Sequence, residues 1–384
     1  MAVQLLSHDI SDLCLGKPPL RPLPSTSTVA ASLSIFRRCS GEPSLSVWSS
    51  DPSSPEQPSK CIGKVTIVDV LCFLCREDNI SNPSIALNSP VSLLLPSNAN
   101  ANAPPLVKQL DPTSSILDAV DCILEGAQSL IVPRKSRNGG TPRQKPFTGR
   151  QFCWITQEDV IRFFFNSINH FSPTPFNSLQ SLNIIEEKFS SVNYNDPALS
   201  ALTAISNSYS GQTSVAVVDD EGRLIGEISL HTLACCDETL APAVATLSAG
   251  DLMAYIDYGG PQEELAQLVK ARLEERKLDG MLELLEDNHS SSSVSSCLSS
   301  SPSSSSDDEV AAKGMRSRAN STRFVRGTEP IVSHPGSSLV AVMIQALSHR
   351  LNHVWVVEED YRLVGIVTFA GMLKVLRDRV SSFS

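Results

Sequence analysis

An α/β fold built from four repeated units is predicted by three observations. Short β-branched runs end in turn-forming clusters, a second short strand follows each, and the order helix, strand, turn or loop, strand, helix occurs four times. Two short strands with a flanking helix cannot bury their own apolar faces, so each unit needs a partner. The most legible unit is Thr213 to Leu233. Val215, Val217 and Val218 read as a strand, and Asp219-Asp220-Glu221-Gly222 reads as a tight turn whose glycine can take positive φ. Leu224, Ile225 and Ile228 give the second strand, and helical spacing returns from Ser229 onward.

The other units follow in order. Ser25-Thr26-Ser27-Thr28 caps a helix over Val29–Phe36, Leu45, Val47 and Trp48 mark a strand, and Cys61 to Leu74 reads as strand into helix. Asp111 to Ser115 opens a helix with Ile116, Ala119, Val120, Ile123 and Leu124 on one face. Ser129–Pro133 reads as a strand, and Phe152–Phe165 is again strand into helix. Between them, residues 134–150 hold Arg134, Lys135, Arg137, Arg143, Lys145 and Arg150 and no acidic residue. A single helix is expected over 261–287, with Glu263 and Glu264 near its positive end. Residues 290–306 contain thirteen serines in seventeen positions, run into Asp307-Asp308-Glu309 and cannot form a core. Phosphorylation of Ser303–Ser306 beside those acids would add negative charge to what otherwise reads as a passive linker. Ser333 to Leu347, His353–Val357, Leu363–Thr368 and Phe369–Leu376 complete the fourth unit.

Composition narrows the function classes. The chain is 384 residues long, 41% apolar and 19% charged, with a net charge of −10. That balance argues against general nucleic-acid binding, which depends on neutralising phosphates with Lys and Arg. Ten cysteines are too sparse for a disulfide scaffold, and Cys72, Cys122, Cys153 and Cys235 lie inside apolar runs. Cys72-x-x-Cys75 has redox or zinc spacing but no second pair and no nearby histidine, so core packing is the favoured reading. No apolar run approaches the ~20 residues of a membrane helix. The N-terminus resembles neither a signal peptide nor a transit peptide, and a cytoplasmic or nuclear location is expected. There is no P-loop, dinucleotide fingerprint, zinc spacing or nucleophile elbow; no catalytic and no metal-binding residue is assigned.

Aligned on the second strand, the units read Cys61-Ile-Gly-Lys-Val-Thr-Ile-Val-Asp69, Phe152-Cys-Trp-Ile-Thr-Gln-Glu-Asp159, Leu224-Ile-Gly-Glu-Ile-Ser-Leu-His-Thr232 and Leu363-Val-Gly-Ile-Val-Thr-Phe-Ala-Gly371. The template is apolar, Gly, any, apolar, Thr/Ser, two residues, Asp. It resembles the CBS (cystathionine β-synthase) domain, and four copies resemble two Bateman modules in tandem, closest to the plant proteins that consist of little besides CBS domains. The expected motifs span residues 12–75, 106–167, 191–236 and 329–380, with copy one pairing with two and copy three with four. An insertion of 237–328 comprises the 261–287 helix and a disordered linker over about 288–325.

The resemblance implies a non-catalytic regulatory protein that takes an adenosine-containing ligand, AMP, ADP, ATP or S-adenosylmethionine, and modulates a partner. The Thr/Ser is then near the phosphates and the Asp accepts from the ribose hydroxyls. Copies one and two keep both groups, Thr66 with Asp69 and Thr156 with Asp159. Copy three has Ser229 but Thr232 in place of the acid, and copy four has Thr368 but Gly371. Losing a charged acceptor costs ~1.5–3 kcal/mol, so a nucleotide is expected between copies one and two. Both acids also suit a helix N-terminus, which is the plain structural alternative. Copy two departs from the template at Cys153. The basic loop 134–150 could fold over a polyphosphate, although a solvated surface loop is the simpler reading. Expected partners are a regulated protein, a kinase or a metabolic or redox enzyme, and a second copy through the modules; nucleic acid and membrane are not expected. The rival reading is a ligand-independent interaction scaffold.

Overall fold

The computed structural model describes residues 7–38, 44–49, 60–95, 107–134, 151–206, 214–233, 236–257, 263–286 and 327–381. Most of the basic loop (135–150) and the serine tract lie outside these. Each copy closes as a three-stranded sheet. In copy one β1 (Pro22–Pro24) runs parallel to β2 (Ser44–Trp48), which pairs antiparallel with β3 (Cys61–Thr66). The same order recurs in β4 (Val107–Gln109), β5 (Ser129–Pro133) and β6 (Phe152–Thr156), in β7 (Ser191–Asn193), β8 (Ser214–Val218) and β9 (Leu224–Ser229), and in β10 (Val332–Ser333), β11 (His353–Val357) and β12 (Leu363–Thr368). The leading parallel strands are two or three residues long, too short to show a period. Prolines flank Leu23 in β1, and a sheet edge tolerates them because no ladder donor is needed there.

The first helices of the copies are α1 (Val29–Arg38), α3 (Ile116–Leu124), α5 (Ala198–Ser206) and α10 (Leu339–His349). The second helices are α2 (Ile67–Leu74), α4 (Gln157–Asn166) and α11 (Phe369–Ser381). Copy three departs from the expected helix after Ser229: Leu230 to Leu233 form a turn, pinned by Ser229 and Thr232, both buried. The expected single helix 261–287 is two helices, α8 (Glu263–Glu275) and α9 (Asp279–Glu286). Lys277, at φ 57°, breaks them apart in the left-handed region.

Two kinds of packing join the copies. Sheets face sheets within the pairs one–two and three–four. Trp48 meets Phe152 with ring centroids 5.0 Å apart, and Ala216 and Leu224 pack on Trp355, Val357 and Ile366. The turns of copies three and four also bond across the pair, Leu224 N–H to Tyr361 C=O at 2.9 Å and Leu363 N–H to Gly222 C=O at 3.1 Å. Helices then pack copy one on three, with Leu71 and Leu74 of α2 beside Ala201 and Leu202 of α5, and copy two on four, with Val160 and Phe164 of α4 beside Met372 and Leu376 of α11.

Connecting segments clasp each copy at the start of its first helix. Isolated bridges join Thr28 to Pro90, Ser115 to Asp9, Pro197 to Ser248 and Ser338 to Ser178. Copies one and three are therefore clasped by the segment that follows them, and copies two and four by the segment that precedes copies one and three. Two features of the packing follow from these bridges. Ile10 and Cys14, in a 3-10 turn at Ile10–Cys14, belong to the core of copies two and four rather than to copy one. The first part of the expected 237–328 insertion, α6 (Ala241–Thr246) and α7 (Ala249–Asp257), occupies the place that Pro83–Leu87 and Val91–Leu94 hold beside copy one.

Candidate functional site

The template threonine ends the second strand and caps the next helix, which places its hydroxyl and the acid three residues on at one helix N-terminus. In copy one the Thr66 N–H and Oγ1–H donate to Asp69 Oδ2 at 2.8 and 2.7 Å, and the Asp69 N–H faces Thr66 Oγ1 at 3.4 Å. Copy two repeats this with Thr156 N–H and Oγ1–H on Asp159 Oδ2 at 2.7 and 2.8 Å. These are capping boxes, the structural role anticipated for both acids.

The boxes differ in what else reaches the carboxylate. Ser206 Oγ, the end of α5 in copy three, donates to Asp69 Oδ1 at 3.3 Å. Desolvation by the surrounding protein holds the Asp69 carboxyl above the usual carboxylate range, against its bonds from Thr66 and the charge of Lys64. Lys64 is pushed down from the usual ammonium range, again chiefly by desolvation, and its Nζ points across the pair to Ser129 Oγ at 3.5 Å. In copy two Lys17 Nζ, arriving from the N-terminal segment, lies 2.5 Å from Asp159 Oδ2 and donates to Trp154 C=O at 2.9 Å. All three donors fall on Oδ2, so Oδ1 of Asp159 accepts nothing from the described residues. The buried indole N–H of Trp154, on the strand β6 that leads into this helix, has no acceptor among them either.

Copies three and four solve the missing acid differently. In copy three Thr232 Oγ1 accepts from the Ser229 N–H at 2.9 Å while Ser229 Oγ accepts from the Thr232 N–H at 3.2 Å, an uncharged box with both side chains buried. Copy four was expected to lack a carboxylate at Gly371, and it does not. Thr368 Oγ1–H donates to Glu186 Oε1 at 2.7 Å, and a Cβ added at Gly371 would sit 3.2 Å from that oxygen. Glu186 is held there by two backbone bonds to Ile366, at 2.9 and 3.0 Å. Sequence reasoning missed it because the acid comes from the segment before copy three. The only local signal was the glycine standing where the acid belonged.

The strand glycine of the template has a steric cause. A Cβ at Gly63 would lie 2.6 Å from Leu95, one at Gly226 2.5 Å from Met253 Sδ, and one at Gly365 2.6 Å from Ile185. Each is the side chain of a clasping segment. Cys72 and Cys75, the CxxC pair, sit on and just past α2. Burial pushes both thiols up to about 12, and Cys75 Sγ points to Ala241 C=O at 3.6 Å.

A family model for the CBS domain matches residues 325–378. Over 98% of its length the chain is 44% identical to the CBS domain-containing protein CBSX5 of Arabidopsis thaliana, 98% of which is covered. The chain is a CBS domain-containing protein. It is also 22% identical, over 99% of its length and 97% of the relative's, to the SNF1-related protein kinase regulatory subunit gamma-like PV42b of Arabidopsis thaliana. Among solved structures it resembles protein MJ1225 of Methanocaldococcus jannaschii, which is described as a proposed archaeal homologue of g-AMPK. The TM-score is 0.56 at 15% identity, covering 96% of this chain and 99% of that one. That likeness shows the fold, and the sheet-paired copies one–two and three–four are its two Bateman modules. No helix among the described residues is long and apolar enough to cross a membrane.

Proposed function

We propose that this CBS protein is a non-catalytic regulator that takes an adenosine-containing ligand and changes its hold on a partner protein. The observation that carries the reading is the divided carboxylate of Asp159. Oδ2 fixes the helix cap, while Oδ1 is left to accept a hydroxyl. A ribose diol supplies such a hydroxyl, and a purine nitrogen or phosphate oxygen would give the buried Trp154 N–H its acceptor. Thr66 and Asp69 form the companion site in the same module, and AMP, ADP, ATP and S-adenosylmethionine all present the required diol. A protein kinase is the favoured class of partner, since one relative is a kinase regulatory subunit gamma-like protein. A metabolic or redox enzyme is the next class.

Calorimetric titration of the four ligands into the full chain tests this. Binding by at least one, weakened about 10- to 100-fold in Asp159→Asn, is the expected result. Silence from all four in folded protein would end the reading. A ligand-independent scaffold is the second reading, and Lys17 on Asp159 and Ser206 on Asp69 favour it because both acids already have partners. A partner captured equally with and without nucleotide would select it.

A further inference from the structure

Cys153 occupies the strand position that is glycine in the other three copies, three residues before the capping Thr156. In copies one and three that glycine receives Leu95 and Met253, each five residues beyond the bridging Pro90 and Ser248 of its clasping segment. The clasp of copy two bridges at Asp9, and five residues beyond it is Cys14. The glycine–leucine and glycine–methionine contacts are thus replaced in copy two by one cysteine against another. The Ile10–Cys14 turn packs on β6, which brings both buried thiols into one core; Cys14 Sγ–H donates to Ile10 C=O at 3.9 Å and Cys153 Sγ–H to Val132 C=O at 3.7 Å.

We propose that Cys14 and Cys153 are a redox modification site, a thiol pair that a hydroperoxide converts to a disulfide joining the N-terminal segment to β6. Cys14 is the attacking thiol. It is the less deeply buried of the two, 7% against 0% exposed, and the neighbouring Cys153 thiol holds it below the usual thiol range while Cys153 is raised. Cys14 thiolate attacks a peroxide oxygen, an S–O bond forms, the O–O bond breaks and hydroxide leaves to take up the proton Cys14 released. Cys153 sulfur then attacks Cys14 sulfur, the S–S bond forms, the S–O bond breaks and the hydroxyl leaves as water with the Cys153 proton. Two thiols and one hydrogen peroxide give one disulfide and two waters. The link would fix Lys17, three residues past Cys14, beside Asp159.

The test treats the native full chain with hydrogen peroxide at about one molar equivalent, alkylates free thiols in denaturant and maps the peptides. The expected product joins the Cys14 and Cys153 peptides, about 2 Da lighter than their sum, and is lost on dithiothreitol treatment. The other eight cysteines should remain alkylated. Cys14→Ser should abolish the product, and far-ultraviolet circular dichroism checks that this variant folds. Full alkylation of both residues, oxidation of either to sulfinic acid without a link, or equal linking in urea-unfolded protein would each overturn the proposal. The wild-type map decides alone if Cys14→Ser does not fold.

Discussion

Asp69 and Asp159 sit in matching boxes yet face different surroundings, and that difference sets how each should respond to pH. Asp69 is hemmed in by α5 of copy three, and desolvation raises its carboxyl above the usual range. A raised folded-state value means that the folded protein holds this proton more tightly than the unfolded chain does. Its contribution to stability is then complete below about pH 4, the unfolded value, and is lost as pH rises through the folded value. Asp69→Asn removes that titration. Urea midpoints of wild type and variant measured from pH 3.5 to 7 should therefore diverge in the variant's favour as pH rises, and parallel midpoints would contradict the assignment. The hydroxyl–acid spacing was legible in the sequence because both groups lie within four residues. Glu186 and Lys17 were not, since Glu186 stands 182 residues from Thr368 and Lys17 142 from Asp159, and a local template carries no information about clasping segments.

Among elements, the β8–β9 hairpin shows how turn chemistry fixes register. Gly222 takes φ 75°, its N–H donates to Asp219 C=O at 3.1 Å, and nothing lies within 4 Å of a Cβ added to it. Gly222→Ala should therefore cost about 1 kcal/mol through backbone conformation alone, read as a lowered thermal midpoint with unchanged ligand response. Copy four uses Tyr361, at φ 64°, in the equivalent turn. The eight longer strands were readable as short apolar runs, most plainly where Val215–Val218 runs into Asp219-Asp220-Glu221-Gly222. The four leading parallel strands were not, because Val332–Ser333 or Pro22–Pro24 offers no periodicity and forms only when a finished β-strand is there to pair with. The break at Lys277 escaped notice for a related reason. Apolar spacing continues on both sides of it, and a lysine carries no turn signal.

At the scale of the whole molecule, the two modules are held by different chemistry. Module two buries Glu227 completely between its sheets, where it accepts from Trp355 Nε1–H at 2.8 Å and lies 3.1 Å from His353 Nε2. The other ring nitrogen of His353 is 3.0 Å from Asn352 Oδ1. Module one has Lys64 at the matching position, reaching Ser129 across the pair. Removing one member of a buried polar pair strands the others, so Glu227→Ala should destabilise by about 3–5 kcal/mol in urea unfolding, and a loss below 1 kcal/mol would show that the cluster carries little. The clasping segments bind the modules to a common schedule of synthesis as well. The ribosome releases Ile10 and Cys14 first, but the strand they cover emerges with Cys153, well over a hundred residues later. At roughly 5–20 residues per second that is on the order of ten seconds during which an apolar N-terminus has no home. The second clasp repeats the delay: Ser178 and Glu186 wait for Ser338 and Ile366, beyond the serine tract. A nascent chain of this protein is therefore left twice holding a finished surface whose cover has not been made, and those intervals are when a chaperone has something to bind.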